Sequence, residues 1–168
     1  MNFGDSVKKA MEEEAKNVEA KNVEAMSNLI LQMDYSKIAP AVLMANEIGE
    51  ESMSDVLAFT RREVKKQNII LLVYLNPLYN LDEGLIFTGQ GLFYWEEEGK
   101  RRENIPYEQI EQVDFTDDSV ILSYQGVSLT IYLGENAAQE KFPRYMYNFI
   151  MEILENMQSM KIHLPQIF

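Results

Sequence analysis

The stretch from Gly84 to Asp114 constrains the fold of this chain more than any other. It reads GLIFTGQGLFYWEEEGKRRENIPYEQIEQVD. Short apolar and aromatic runs alternate with turns that contain glycine, which is typical of tight β-hairpins. Gly89-Gln90 and Gly99 lie where the chain has to reverse. We therefore expect two hairpins here, followed by another strand.

Runs of strand length on both sides extend this pattern into a larger sheet. The predicted strands are Ile69–Leu75, Leu85–Thr88, Gly91–Glu97, a short strand that includes Ile105, Ile110–Thr116, Val120–Tyr124 and Val127–Leu133. Asn76–Glu83 reads as a loop. The segment EEEGKRRE places acids opposite bases across the turn at Gly99, which predicts charge pairs in solvent.

The residues before this block predict three helices. The first begins at Asp5 or Ser6 and runs to about Met33. The second covers Pro40–Ile48, because proline suits the first turn of a helix. The third covers Ser52–Lys66, since Ser52 and Asp55 have the spacing of a capping box. It closes in four bases that suit the helix dipole: Arg61, Arg62, Lys65 and Lys66.

The first predicted helix is unusually long and carries one apolar stripe. The stripe consists of Met11, Ala15, Val18, Ala25, Met26, Leu29 and Met33. At 1.5 Å per residue such a helix is roughly 40 Å long, which exceeds the width of a small domain's core. A stripe that extends past its neighbours is most simply covered by a second copy of the chain, so we expect a homodimer. The alternative is that both ends of the chain pack on the chain itself.

One more amphipathic helix is predicted after the strands, from Asn136 to about Met157, with its start or a bend near Pro143. The segment 159–168 ends in HLPQIF and contains several apolar residues. Because apolar side chains are stabilised by burial, we expect this tail, including Phe168, to pack against something.

The strand block followed by a long helix resembles a pleckstrin-homology-like (PH-like) domain, of the kind found in bacterial proteins of unknown function and in GRAM-type domains. The resemblance lies in GLIFTGQGLFYW (Gly84–Trp95), IPYEQIEQVDF (Ile105–Phe115), VSLTIYL (Val127–Leu133) and the helix after them. It implies an α+β fold: N-terminal helices, then a bent antiparallel β-sandwich or barrel of about seven strands, capped by a C-terminal α-helix. The implied domains are a helical segment (1–67), the PH-like domain (68–158) and the tail (159–168).

Lipid binding does not follow from this resemblance. Members that bind phosphoinositides place Lys and Arg on the first two strands and the loop between them. The corresponding segment here, Asn68–Thr88, contains neither, and a phosphate site needs charge-assisted donors. We therefore expect no phosphoinositide or membrane binding. Members of this kind that lack those bases serve in peptide docking, in protein docking or as structural domains, so the resemblance implies one of these roles for this chain.

Composition excludes several kinds of chemistry. The chain has no cysteine, which removes disulfides, thiolate nucleophiles and Cys-based metal sites. His163 is the only histidine, and no GxSxG, P-loop or GxGxxG motif occurs. We expect no enzyme activity, no cofactor, no metal and no small-molecule substrate. No apolar run reaches the roughly 20 residues of a membrane span, and the first residues lack the apolar core of a signal peptide, so a cytoplasmic location is the default.

The net charge of −12 points away from nucleic acid. Residues 1–67 contain nine bases and twelve acids, a net −3, and residues 68–168 contain six bases and fifteen acids, a net −9. Such a surface repels nucleic acid and anionic lipid. Its acidity serves either solubility or a basic protein partner.

Two functional hypotheses follow. The first is an interaction module that docks a protein or peptide or that associates with itself. The second is an immunity protein or inhibitor that neutralises a basic toxin or nuclease. On the strand Gly91–Glu97, Phe93 and Trp95 share one face and Leu92 and Tyr94 the other; either both faces are core, or one pair forms an exposed aromatic patch. The candidate interaction residues are Met26, Leu29, Met33, Phe93, Trp95 and Phe168.

Overall fold

A computed structural model describes residues 3–39, 41–76, 80–133 and 141–161, without the side chains at positions 18, 19 and 161. These residues form an α+β fold. The helices are α1 (Phe3–Gln32), α2 (Glu50–Phe59) and α3 (Phe142–Lys161). The strands are β1 (Val42–Met44), β2 (Ile69–Tyr74), β3 (Gly84–Thr88), β4 (Gly91–Glu96), β5 (Arg101–Pro106), β6 (Ile110–Phe115), β7 (Ser119–Tyr124) and β8 (Val127–Tyr132).

The strands form two antiparallel sheets that follow the order of the chain. Strands β1 to β5 make a five-stranded sheet and β6 to β8 a three-stranded sheet. A single 3-10 turn, Tyr107–Gln109, connects them. The Tyr124 hydroxyl on β7 donates a 2.7 Å hydrogen bond to Glu103 on β5, which ties the two sheets together. The described strands do not close into a barrel.

The two predicted hairpins at the centre of the sequence are confirmed. Ile86 pairs with Phe93 across the β3–β4 hairpin, and the Thr88 hydroxyl accepts hydrogen bonds from the backbone N–H groups of Gln90 and Gly91 in its turn. At the end of the β4–β5 hairpin, Arg101 pairs with Glu96 at 2.8 Å. The predicted cross-strand charge pair in solvent is therefore present.

The segment Pro40–Ile48 was predicted to be helical, and this prediction is wrong. Val42–Met44 is strand β1, in which Val42 pairs with Val73 and Met44 with Leu71. Ala45–Glu47 is one 3-10 turn, and Pro40 lies outside the described residues. A short apolar run suits either a helix or a strand. Strand β2 is buried throughout, so its backbone N–H and C=O groups need hydrogen-bonding partners on both sides. Val42–Met44 forms a strand because it supplies those partners on one side.

The third predicted helix ends earlier in the structure than the sequence pattern predicts. Helix α2 begins at Glu50, after Gly49 as its N-cap, and ends at Phe59. Arg61 and Arg62 follow in the left-handed region, with φ of 51° and 58°. The four bases therefore lie after the helix rather than in its last turn, because the chain reverses here toward β2.

The last helix is confirmed with its start near Pro143, and it continues to Lys161, past the predicted end near Met157. Helix α3 starts at Phe142, so Pro143 occupies its first turn, where a proline costs no hydrogen bond. The positions 136–140 lie outside the described residues. Residues 159–161 belong to α3. The rest of the predicted tail, with His163 and Phe168, lies outside the described part of the chain.

The central strands of the five-stranded sheet are covered on both faces. One face packs with α1, α3 and the three-stranded sheet, where Phe87 meets Phe149 edge to face at 5.3 Å. The other face packs beneath α2 and buries Phe93 and Trp95. The Trp95 indole donates a 2.9 Å hydrogen bond to the carbonyl of Leu81. Of the two readings of β4, core on both faces is the correct one.

In the described part of the chain, no helix combines the length and the apolar character that a membrane crossing needs.

Candidate interaction surface on the first helix

Helix α1 has two halves with different surroundings. From Asn22 to Gln32, which we call the docked half, it lies against the body of the protein. Met26 is 6% exposed and Ile30 is fully buried, and both belong to the cluster that contains the five-stranded sheet and α3. Leu29 is partly buried against the same cluster. The docked half is thus a core element of the fold.

The turn between β3 and β4 holds the docked half from the side. The Ser27 hydroxyl donates a 2.9 Å hydrogen bond to the carbonyl of Val23, one turn earlier in α1. A Cβ on Gly89 would lie 2.6 Å from that carbonyl oxygen and would overlap the Ser27 hydroxyl. Only glycine therefore lets the turn approach the helix so closely.

A groove of about 350 Å³ opens beside this contact. Leu31 of α1 and Ile69 of β2 belong to its apolar lining, and carboxamides such as Asn46, Gln67 and Gln90 also line it. None of its lining residues is charged, although charged residues make up 25% of the chain. The groove suits an uncharged, largely apolar group, and its volume is near the lower end for small-ligand pockets, about 300 Å³.

Residues 3–21 of α1, the projecting half, extend away from the body. Every described side chain there is exposed except that of Ala15, which is half-buried. Phe3 is 85% exposed, Val7 41% and Met11 65%. These three residues are spaced by four, so they follow one side of the helix; we call them the exposed stripe. Contiguous exposed apolar side chains are a common feature of interaction surfaces, so the exposed stripe is the candidate surface.

The projecting half is nearly neutral in an acidic protein. It contains five acids (Asp5, Glu12, Glu13, Glu14 and Glu19) and four bases (Lys8, Lys9, Lys16 and Lys21), a net −1. The whole chain carries −12. Long-range repulsion between two copies is therefore weakest where their projecting halves meet.

The candidate residues taken from the sequence lie mostly inside the protein. Met26 and Met33 are buried, Leu29 is partly buried, and Phe93 and Trp95 are 2% and 0% exposed. The possible aromatic patch on β4 is therefore absent. The sixth candidate, Phe168, lies outside the described residues.

Sequence reasoning did not select Phe3 and Val7. The predicted helix began at Asp5 or Ser6, whereas α1 begins at Phe3. The signal was present, since Phe3 and Val7 continue the four-residue spacing from Met11 toward the start of the chain.

Two tyrosines near the edge of the five-stranded sheet hydrogen-bond to carboxylates. The Tyr94 hydroxyl donates to Glu96 at 2.9 Å and the Tyr124 hydroxyl to Glu103 at 2.7 Å. Burial is the largest cause that raises the pKa of Tyr124 to about 12, and the hydrogen-bonded carboxylate of Glu103 is the second. Burial and then Glu96 raise the pKa of Tyr94 by a larger amount. Both phenols stay protonated at neutral pH, so they act as fixed donors and not as bases.

No cluster of three or more His, Cys, Asp or Glu side chains with metal-binding geometry occurs among the described residues. No protein-family model matches the chain, and no curated protein does so either.

Proposed function

We propose that this chain is a non-enzymatic, cytoplasmic interaction module, in which a PH-like scaffold presents a long helix for self-association. The observation that carries the proposal is the exposed stripe on the projecting half of α1. Phe3, Val7 and Met11 are large, apolar and open to solvent, on a stretch of helix whose described side chains are nearly all exposed.

The PH-like part of the proposal rests on the order of the elements. Strands β2 to β5 form four consecutive antiparallel strands, β6 to β8 form three more, and α3 follows and packs on the inner face. This is the order that the sequence resemblance implies. Strand β1 and helix α1 are additions to it.

Self-association explains why the projecting half is helical. A 19-residue helical segment whose described side chains are nearly all exposed is only marginally stable in water by itself. Burying three large apolar side chains against a partner supplies the tertiary contacts that the body does not give. The partner on this proposal is a second copy of the chain.

Sedimentation velocity over a range of concentrations tests the proposal. The wild type should show a reversible monomer–dimer equilibrium, and Val7→Glu/Met11→Glu should sediment as a folded monomer. The matched control is Asn17→Glu/Ala20→Glu, which adds the same two charges to exposed positions outside the exposed stripe. It should still dimerise. A wild type that remains monomeric at high concentration would contradict the proposal.

Met26 is unsuited to such a test, although it belongs to the stripe seen in the sequence. Its side chain is 6% exposed in the core. A glutamate there would place a charge among apolar side chains and unfold the protein rather than separate two folded copies.

Phosphoinositide binding is not part of the proposed function. Asp82 and Glu83 are the charged residues in the described part of the loop between β2 and β3. Of the bases near the β4–β5 turn, Arg101 pairs with Glu96 and Arg102 with Glu63. Liposome flotation with phosphoinositides at low salt should show no bound protein. Binding that disappears in Lys100→Ala/Arg101→Ala/Arg102→Ala would contradict this.

One observation favours the second hypothesis, a neutralising protein for a basic toxin or nuclease. Glu111 and Asp114 on β6 and Asp117 and Asp118 in the following turn are all exposed along one edge of the three-stranded sheet. A row of carboxylates can steer a cationic partner toward this edge. A toxin gene next to the gene for this chain, and salt-sensitive binding of that toxin lost in Glu111→Lys/Asp114→Lys, would support this function instead.

A further inference from the structure

Strand β8 lies at an edge of its sheet and lacks the features that discourage an edge from pairing with another chain. Among the described strands, the edges of the two sheets are β1, β5, β6 and β8. Short length, charged residues and proline all discourage such pairing. Strand β1 has only three residues, and β5 contains Arg101 and Pro106. Strand β6 contains Glu111 and Asp114. Strand β8, with the sequence VSLTIY, has six residues and contains no charge, no proline and no glycine.

The pairing of β7 with β8 determines which backbone groups of β8 point outward. In an antiparallel pair, alternate residues bond to the partner strand and the residues between them point away from it. The backbone N–H of Leu133, just after β8, donates a 2.7 Å hydrogen bond to the carbonyl of Asp118. Every second residue before Leu133 therefore bonds to β7. The residues whose N–H and C=O groups point outward are Ser128, Thr130 and Tyr132.

These outward groups have no partner in the described part of the chain. No backbone hydrogen bond joins Ser128, Thr130 or Tyr132 to a described residue on the outer side of β8. Their side chains are all exposed. A row of unpaired N–H and C=O groups is a template for a further strand, and extended peptides bind to sheet edges in this way.

The two faces of β8 set the residue pattern that an added strand needs. On the core side, Ile131 is 1% exposed and Leu129 packs against the core. Val127 shares that face at the same two-residue spacing and is 50% exposed. An added strand extends both faces of the sheet, so its side chains should be apolar on the core side and polar on the outer side.

The charges near β8 favour a cationic strand. Asp117 and Asp118 are exposed in the turn beside the Tyr132 end of β8. The Asp118 carboxylate accepts hydrogen bonds from the hydroxyls of Thr116 at 2.9 Å and Ser119 at 2.8 Å, which hold it in place. A second copy at this edge would bring together two bodies in which residues 68–168 each carry −9 (six bases and fifteen acids). Such bodies repel, whereas a basic segment is attracted.

We propose that the free edge of β8 binds an extended segment of a partner protein, which joins the three-stranded sheet as a fourth strand. The added strand is antiparallel, as all described strand pairs are. It alternates apolar and polar residues and has Lys or Arg at its N-terminal end, beside Asp117 and Asp118. This edge is separate from the exposed stripe and takes a different molecule, so the inference goes beyond the proposed self-association and does not rest on it.

Amide hydrogen exchange followed by NMR tests the edge directly. The probe is the synthetic peptide Lys-Lys-Val-Thr-Val-Thr-Val with blocked ends. In the free protein the outward N–H groups of Ser128, Thr130 and Tyr132 should exchange fast, and those of Leu129 and Ile131 slowly. Saturating peptide should slow exchange at the three outward groups by roughly tenfold or more and leave the other two unchanged. Protection elsewhere instead, or no binding, would overturn the proposal.

Thr130→Lys and Thr130→Pro test the edge from the side of the protein. A lysine on an edge discourages pairing, and a proline here removes an outward N–H on which no bond to β7 depends. Each variant should weaken binding of the fluorescently labelled peptide by roughly tenfold. The control Gln112→Lys adds the same charge to the same face of the sheet on β6 and should bind like the wild type. Thermal melts show whether each variant folds, and unchanged binding by both Thr130 variants would exclude this edge as the site.

The reversed peptide Val-Thr-Val-Thr-Val-Lys-Lys tests the orientation with the same composition. In an antiparallel complex its lysines lie at the far end of β8 from Asp117 and Asp118. It should bind about two- to fivefold more weakly at low salt, and Asp117→Asn/Asp118→Asn should remove the difference. Equal binding of both peptides to the wild type would overturn the assigned orientation.

Two further results separate this inference from the self-association. Val7→Glu/Met11→Glu should bind the peptide as the wild type does, and loss of binding there would overturn the independence of the two surfaces. Outward N–H groups of β8 that are protected without peptide, and lose this protection on dilution, would assign the edge to a second copy and overturn the peptide as its occupant.

Discussion

The two halves of α1 contain similar residues in different surroundings. Met11 in the projecting half is 65% exposed, and Met26 in the docked half is 6% exposed. Both belong to the same helical stripe, and the helix between them is continuous. The body of the protein extends along α1 only from Asn22 onward. One apolar stripe therefore lies in two environments, since its second half stabilises the fold and its first half remains in solvent.

The largest expected effect comes from removing a core side chain of the docked half. Ile30 is fully buried and its neighbour Leu31 is 44% exposed. Ile30→Ala leaves a cavity and should lower the free energy of unfolding by about 2–5 kcal/mol. Leu31→Ala on the same turn should lower it by less than about 1 kcal/mol. Urea unfolding followed by circular dichroism measures both, and equal losses would mean that the docked half is not packed as described.

A smaller effect is expected where the docked half meets the β3–β4 turn. Gly89→Ala places a methyl group against the carbonyl of Val23 and the hydroxyl of Ser27. Overpacking of this kind should cost about 1–3 kcal/mol of unfolding free energy. Adding Ser27→Ala should recover part of the loss only, since the Val23 carbonyl remains. A fully stable Gly89→Ala protein would show that helix and turn are not in contact.

The smallest effect is expected at Asp34, just after the docked half ends. The backbone N–H of Ser36 donates a 3.0 Å hydrogen bond to the Asp34 carboxylate. This bond, then the Ser36 side chain and the charge of Lys37, lower the pKa of Asp34 below its usual 3.8. A lowered folded-state pKa stabilises the protein above the unfolded pKa, and the stabilisation is lost as the pH falls through the folded value.

Asp34→Asn should therefore be slightly less stable than the wild type at pH 7, and the difference should shrink toward pH 3. Thermal melts of the two proteins across this range measure it. A difference that stays constant over the whole range would exclude the carboxylate charge as its cause.

Local patterns predicted much of the fold. The turn at Gly89-Gln90 and the strands β3 and β4 beside it follow from glycine positions and from strand-length apolar runs. The start of α3 follows from Pro143, because a proline is tolerated in the first turn and not in the helix interior. The charge pair between Glu96 and Arg101 follows from their places across one turn.

The candidate surface was predicted only in part. The sequence pointed to α1 and to an apolar stripe longer than its neighbours could cover. It did not show which end of that stripe stays exposed to solvent, because Met11 and Met26 are the same residue type in the same pattern. Their exposure depends on where the sheet and α3 lie, and most of these residues come from positions more than 40 residues away, since β2 begins at Ile69 and α3 at Phe142.

By itself the sequence determined what each segment can do within its own few turns. It set helical or strand periodicity, the positions where the chain reverses, the absence of thiol chemistry and the excess of negative charge. The tertiary structure decided the rest. It made Val42–Met44 a strand because buried β2 needed a pairing partner, and it buried Phe93 and Trp95 because α2 covers the second face of the sheet. It also left Phe3, Val7 and Met11 in solvent because the body ends before it reaches them. Burial depends on which distant segments of the chain pack together, and a local pattern of residues does not determine this.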